Sequence, residues 1–497
     1  KNEGFTNALL LGMGGSSLAP EVFRKTFGVK PGYLNLDVLD STHPEAVLEF
    51  TENLNPLKTL YIVSTKSGGT IETISFLKYF FNLLSKKIGK ENAPKHFIAI
   101  TDPGSGLQKM AEELKFRKIF LNDPDIGGRF SALSLFGIVP AALIGVDINI
   151  LFQRLARIVE ESKIVDHSNF EKNSSALLGA IIGSLAVVKK DKLTFILSKE
   201  IQSFGAWVEQ LIAESTGKSG MGILPVESES LEIPGYYAKD RVFVNLRINN
   251  DSFNEQIINE YENAGFPVIK IDLEDIYDLG AEFFRWEFAT AIAGWKLGIQ
   301  PYDQPNVESA KIVARKLIQD YETKGQLQEL VPVLQERGIR IFGNISATNL
   351  KNAFEQFFSN LILDKGDKLR NYVSLHAYLK PEENTTNLLQ AIRTKIQKKY
   401  KIAVTLGYGP RFLHSTGQLH KGDGGNGFFI QFISDFKEDV GIPKDAVESE
   451  STFSFGILIK AQALGDRQAL IDNNRNLITV DLGKDVNSSL EIVGKLL

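Results

Sequence analysis

Thr59-Leu60-Tyr61-Ile62-Val63-Ser64 runs directly into Thr65-Lys66-Ser67-Gly68-Gly69-Thr70 and then into a helical pattern over Thr70–Lys86. A short, unbroken apolar run rich in β-branched and aromatic residues reads as a strand buried on both faces. The glycine pair then turns the chain from strand to helix. The same succession recurs on either side. Ala8–Gly12, Leu34–Leu39, Phe97–Thr101 and Lys118–Leu121 read as further parallel strands with helices between them, which makes this an α/β fold. Residues 1–158 form the first such unit. Leu193–Leu197, Val242–Leu246 and Val268–Ile271, with helices around Phe204–Ser215 and Glu282–Ala293, define a second over 159–322. A C-terminal α/β section, 323–497, carries strand-like runs at Ile339–Phe342, Val373–His376, Ala403–Leu406, Phe428–Phe432 and Leu477–Val480.

The bulk composition fits this division. The 497 residues suffice for about two to four domains. Hydrophobic residues make up 43% and charged residues 23%, an ordinary balance for a globular chain. With 56 Lys+Arg against 60 Asp+Glu, the net charge of -4 points to neither a nucleic-acid nor a membrane partner. The absence of cysteine removes disulfides, thiolate nucleophiles and thiolate metal sites, and fits a cytoplasmic enzyme. The longest apolar run, Ala132 to Val146, falls short of the roughly 20 residues a membrane span needs and reads as a buried helix.

Several segments carry chemistry. Gly12-Met13-Gly14-Gly15-Ser16-Ser17 follows a strand and offers backbone N–H groups to an anion, but Ser17 stands where a dinucleotide fingerprint requires glycine. The Ser64–Thr73 loop brings hydroxyls, the Lys66 ammonium, two glycines and a helix start together, a full set of donors for a phosphate. Glu72 and Thr73 read as first-turn caps. Gly127-Gly128-Arg129-Phe130-Ser131 places a guanidinium beside a close-approaching backbone. In Glu209–Lys218, Glu214 falls in the last turns of a helix, where the dipole disfavours a carboxylate, a setting that suits proton abstraction. Gly217-Lys218-Ser219 fails as a P-loop because Ile212 occupies the upstream glycine position. Pro305 precedes a helix on which Val307 and Lys311 share a face. Gly407–Gly422 is a glycine-rich loop holding His414 and His420, two of the six histidines, with no interleaved carboxylate to complete a metal site. Taken singly, each segment has an ordinary reading as a turn, a cap, a surface charge or a structural histidine.

Taken in order, the segments resemble the phosphoglucose isomerase family. Gly14-Gly15-Ser16, the Ser64–Thr73 loop, Asp125-Ile126-Gly127-Gly128-Arg129-Phe130-Ser131, Glu214-Ser215-Thr216-Gly217-Lys218 and Asp303-Gln304-Pro305-Asn306-Val307-Glu308-Ser309-Ala310-Lys311 carry the likeness. The resemblance implies two sugar-isomerase (SIS) domains, each a parallel sheet sandwiched by helices. It also implies interconversion of glucose 6-phosphate and fructose 6-phosphate through an enediolate, in glycolysis and gluconeogenesis, with no cofactor and no metal. It makes Glu214 the base, Lys311 a sugar-contacting proton donor and Arg129 the enediolate stabiliser. Ser64, Thr65, Lys66, Ser67 and Thr70 would hold the phosphate, and Gly15, Ser16, Gly128 and Gln304 would line the sugar. The Gly409–Gly422 stretch resembles the version fused to transaldolase in some bacteria. With a start at Lys1 rather than Met, this admits an upstream transaldolase domain, and the family admits a homodimer.

Two departures stand out. Asn306 replaces a glycine usual in its element. The family's ring-opening histidine falls between base and lysine, whereas here no histidine lies between His167 and His376. His414 and His420 are the candidates, with Lys311 acting alone as the alternative. Competing functions are a bifunctional glucose/mannose-6-phosphate isomerase, a non-catalytic phosphosugar-sensing SIS protein and, weakened by Ser17, an NAD dehydrogenase.

Overall fold

In the strand Asn7–Gly12 (β1), Ala8 and Leu10 face one core while Leu9 and Leu11 face another, and all four are fully buried. A strand buried on both faces requires helices on both. The computed structural model that shows this describes residues 2–164, 171–249, 251–363, 371–448 and 450–497; His167 lies outside them. β1 pairs in parallel with Asn35–Leu39 (β2) and Thr59–Ser64 (β3), and Phe97–Thr101 (β4) and Lys118–Leu121 (β5) complete a sheet of order β2-β1-β3-β4-β5. Strand order reverses at β1. Because Gly12 pairs with Ser64, the loops leaving β1 and β3 emerge side by side at the carboxyl edge, the crevice where open α/β sheets bind ligands.

The second sheet contains Lys192–Leu197 (β6), Leu224–Val226 (β7), Arg241–Ile248 (β8) and Val268–Leu273 (β9), all parallel, in the order β7-β6-β8-β9. Helices Phe204–Thr216 and Leu279–Leu297 join it to the first sheet. Their Phe204, Trp207, Phe283 and Trp286 share one buried core with Leu10 and Phe195. Trp207 and Phe283 meet edge to face at 4.6 Å, a favourable aromatic geometry. The apolar run at Ala132–Val146 forms helix Leu135–Ile144 within this core, and among the described residues no helix is long and apolar enough to cross a membrane.

The third sheet comprises Leu334–Glu336 (β10), Ile339–Gly343 (β11), Tyr372–Tyr378 (β12), Ala403–Tyr408 (β13), Gly427–Ile433 (β14) and Asn476–Asp481 (β17), in the order β10-β11-β17-β14-β12-β13. β12, β13, β14 and β17 are parallel, and β11 runs against β10 and β17. Gly441–Pro443 (β15) and Ser451–Ser454 (β16) form a separate antiparallel pair. The C-terminal section closes over the first sheet. Helix Phe455–Asp472 packs against helix Glu308–Lys324, and Phe455 stacks on Phe76 at 5.6 Å. Arg393 ties it to the second sheet by donating to the carbonyls of Glu227 and Ser228.

The structure departs from the sequence reading in two respects. β7, β10, β15 and β16 are three or four residues long, too short to show a periodicity. Gly407–Gly422 is not a loop lying open. It holds a 3-10 turn, Arg411–His414, and a short helix, Gly417–Gly422, whose six residues are all buried. This helix docks on the end of helix Phe204–Thr216, where Gln418 Nε2 donates to the Gly217 carbonyl at 2.8 Å.

Candidate active site

Helix Phe204–Thr216 is stopped at Gly217, which leaves Glu214 in its last turn. Beside it, the 3-10 turn Gly128–Phe130 supplies Arg129, whose side chain is only 3% exposed. A guanidinium has five N–H donors, and four hydrogen bonds hold this one in place. Nη1 lies 3.1 Å from Glu214 Oε1 and donates to Gln304 Oε1 at 3.0 Å. Nε donates to Ser215 Oγ at 2.7 Å, and Nη2 to the carbonyls of Pro301 and Asp303 at 2.6 and 3.1 Å. Burial pulls the Arg129 pKa down and the carboxylates of Glu214 and Asp303 pull it back up, but the net shift remains downward. A guanidinium starts so high that it stays charged. The result is a fixed cation beside an aligned carboxylate.

The loop after β1 is threaded through the same place. Gly14 has φ +53, and a Cβ there would stand 2.8 Å from the His414 carbonyl oxygen; a Cβ on Gly15 would stand 2.1 Å from that of Gly128. Only glycine lets backbone segments pass this closely. Gln210, one turn before Glu214, bridges them: its Nε2 donates to Glu214 Oε2 at 3.1 Å and to the His414 carbonyl at 2.6 Å.

His414 then points its Nε2 at Glu72 Oε1, 2.9 Å away. Glu72 is buried at the start of helix Ile71–Ile88 and also accepts from Gln462 Nε2 at 2.6 Å. Burial alone would raise its pKa, but the charge and hydrogen bond of His414, with Lys311 adding, hold it below the ordinary value. Ser67, Gly69, Thr70, Glu72, Lys311 and His414 line one cavity. Lys311 Nζ rests 3.2 Å from Glu308 Oε1.

The remaining sequence candidates separate. Thr65 and Thr70 hydroxyls lie 3.0 Å apart at the mouth of helix Ile71–Ile88. Ser64 Oγ donates to the Ser16 carbonyl at 3.2 Å, joining the two strand-end loops. Lys66 does not reach into the cavity: its ammonium pairs with Asp102 and donates to the Pro124 carbonyl at 2.6 Å. His420 is likewise elsewhere. It is fully buried 4.7 Å from the His376 ring, beside the Asp466 carboxylate that binds His376 and Lys421. Burial and its neighbours hold His420 well below the usual histidine pKa, so it is neutral. Asn306 replaces the expected glycine by pairing with a side-chain amide: its N–H donates to Gln418 Oε1 and its Oδ1 accepts from Gln418 Nε2, both at 2.8 Å. Sequence reasoning missed Gln210 and Gln462 altogether and read Glu72 as a cap. The contacts of Gln210 with the His414 carbonyl and of Gln462 and His414 with Glu72 span 204, 390 and 342 residues, so no local signal marks them.

This pair of parallel sheets, with its glycine-lined carboxyl edge and a carboxylate paired with a buried guanidinium, defines an α/β protein of the sugar-isomerase class. Comparison with known proteins agrees. Residues 2–223 match the family Phosphoglucose isomerase. A probable glucose-6-phosphate isomerase of Methanococcus maripaludis is 30% identical, over 64% of this chain and 80% of its own length. A glucose-6-phosphate isomerase of Methanocaldococcus jannaschii is 28% identical, over 63% and 85%. The crystal structure of a glucose-6-phosphate isomerase from Chlamydia trachomatis shares the fold with a TM-score of 0.53 at 19% identity, over 64% of this chain and 70% of its own. The chain belongs to the phosphoglucose isomerase family, a family of aldose–ketose isomerases.

Proposed function

We propose that this chain interconverts glucose 6-phosphate and fructose 6-phosphate, a step of glycolysis and gluconeogenesis. One observation carries the reading: Arg129, Glu214, Gln210, His414 and Glu72 form an unbroken polar chain, and His414 and Glu72 share a cavity with Ser67 and Thr70 at a helix start. In this account the phosphate sits at Ser67 and Thr70, with Ser64 and Thr65 shaping the loop and the dipole of helix Ile71–Ile88 favouring the charge. Gly15, Ser16, Gly128 and Gln304 line the sugar. His414, oriented by Glu72, opens the ring by moving a proton between O1 and the ring oxygen. Glu214 takes the C2 proton of the open aldose and returns it to C1. The fixed charge of Arg129 stabilises the enediolate oxygen without reorganising, and Lys311 contacts the sugar and donates a proton. Phosphate contacts remote from C1 and C2 orient the reacting carbons.

The test is a coupled assay of fructose 6-phosphate conversion, with mannose 6-phosphate as a second substrate. Formation of glucose 6-phosphate is expected. Binding of fructose 6-phosphate without turnover would overturn the enzyme reading in favour of a sensor.

A further inference from the structure

The C-terminal sheet has its own point of reversal. β12 lies between β13 and β14, so the loops leaving β12 and β14 diverge at the carboxyl edge, the place where α/β sheets receive ligands. A crevice lies there, walled by residues after β12, β14 and β17 and, from the first unit, by His43 and Glu45. Helices Pro44–Asn53, Glu383–Tyr400 and Val486–Leu496 all begin at it, with His43, Glu382 and Asp485 in their cap positions. Three positive dipole ends therefore converge on one opening.

The side chains are consistent with an occupant. His43 is 2% exposed and its Nδ1 has no hydrogen-bond partner, a costly state for a buried polar atom unless something else supplies one. Burial, with Lys380 adding, pulls its pKa down to about 4, so at neutral pH the ring is an uncharged hydrogen-bonding group. Lys437 and Lys484 are exposed at the rim, and neither ammonium makes an ion pair among the described residues. Lys380 is already held by Glu49 at 3.0 Å. The carboxylates are mostly engaged as well: Glu45 accepts the Lys437 N–H, Asp485 caps Ser488, and Glu382 accepts from Thr385. They can still accept hydroxyl hydrogens from a ligand.

The crevice is also connected to the candidate active site. Thr42, adjacent to His43, donates to Gln462 Oε1 at 2.8 Å; Gln462 donates to Glu72, which holds His414. This is a contiguous hydrogen-bond path through buried groups.

We propose that this crevice is a second ligand site, for a small phosphorylated polyol, whose phosphate meets Lys437 and Lys484, whose hydroxyls meet His43 and the carboxylates, and whose occupancy is transmitted to His414. The second site stands independently of the isomerase reading; only the consequence at His414 rests on it. The test titrates the full chain with glycerol 3-phosphate by calorimetry, in parallel with K437A/K484A and with S67A/T70A. Loss of binding by at least tenfold in the lysine variant, with retention in the Ser67/Thr70 variant, is the expected result. No binding to the parent, or loss only in S67A/T70A, would overturn the second site. Histidine C–H resonances read the connection: glycerol 3-phosphate should shift those of His414 in the parent and not in K437A/K484A. Unmoved His414 signals at saturation would overturn the transmission. Absence of isomerase activity with crevice binding intact would instead count against the proposed function alone.

Discussion

His414 Nε2 lies 2.9 Å from Glu72 Oε1 although 342 residues separate them in the chain. The imidazole comes from the C-terminal section and its carboxylate partner from the first helical turn after β3. A buried carboxylate fixes the tautomer and orientation of a histidine, which is what acid–base work on a sugar ring requires. In the proposed function this histidine stands in for the one that the family resemblance implies between base and lysine.

Ring opening gives the first prediction. His414→Ala should lower kcat for glucose 6-phosphate by about 10²–10³ while leaving the affinity of the open-chain inhibitor 5-phosphoarabinonate nearly unchanged. Glu72→Gln should lower kcat in the same direction by less, since the imidazole remains but loses its charged partner. His420→Ala should leave the chemistry intact, because that ring faces His376 and Phe429 rather than the cavity. Steady-state kinetics with inhibitor titrations check all three, and parent-like turnover by His414→Ala would leave the ring to Lys311 or water.

The phosphate loop gives the second. Thr70→Ala and Ser67→Ala should each weaken 5-phosphoarabinonate by about 1–3 kcal/mol, as for a hydrogen bond to a charged group. Lys66→Ala should cost less, since its ammonium is already committed to Asp102 and the Pro124 carbonyl. Calorimetric titration separates these cases; a Lys66→Ala loss exceeding that of Thr70→Ala would place the phosphate on the other side of the loop.

Glu209 gives a pH dependence. Burial, with Glu227 adding, raises its carboxyl from 4.5 to about 8. The folded state then holds a proton that the unfolded state has released, so stability falls as pH rises from about 4.5 to about 8 and levels off above that. Glu209→Gln removes this slope. Thermal unfolding at pH 5 and pH 8 should show a larger drop for the parent than for Glu209→Gln; equal drops would show that the carboxyl ionises freely in the folded chain.

Much of this architecture is legible in the sequence because the physics is local. The β1 and β3 runs are apolar between their ends, at Ala8–Leu11 and Leu60–Val63, and the glycines that follow them mark the turns at the carboxyl edge. Glu214 and Arg129 are visible as motifs because their neighbours, Gly217 and Gly128, are. The contacts made by His414 are not legible, since a glycine-rich stretch reads as a loop unless one knows that Gln418 and Leu419 pack on the end of helix Phe204–Thr216. Lys66 reads as a phosphate ligand by composition, and only the position of Asp102, at the end of β4, shows where its charge is directed.

In the proposed mechanism Glu214 moves the proton between C1 and C2. Glu214→Gln preserves side-chain volume and can still accept from Gln210, but it removes the base. Its kcat for fructose 6-phosphate should fall by about 10³ or more with KM little changed, because the lost interaction belongs to the transition state. Turnover within tenfold of the parent would contradict the account.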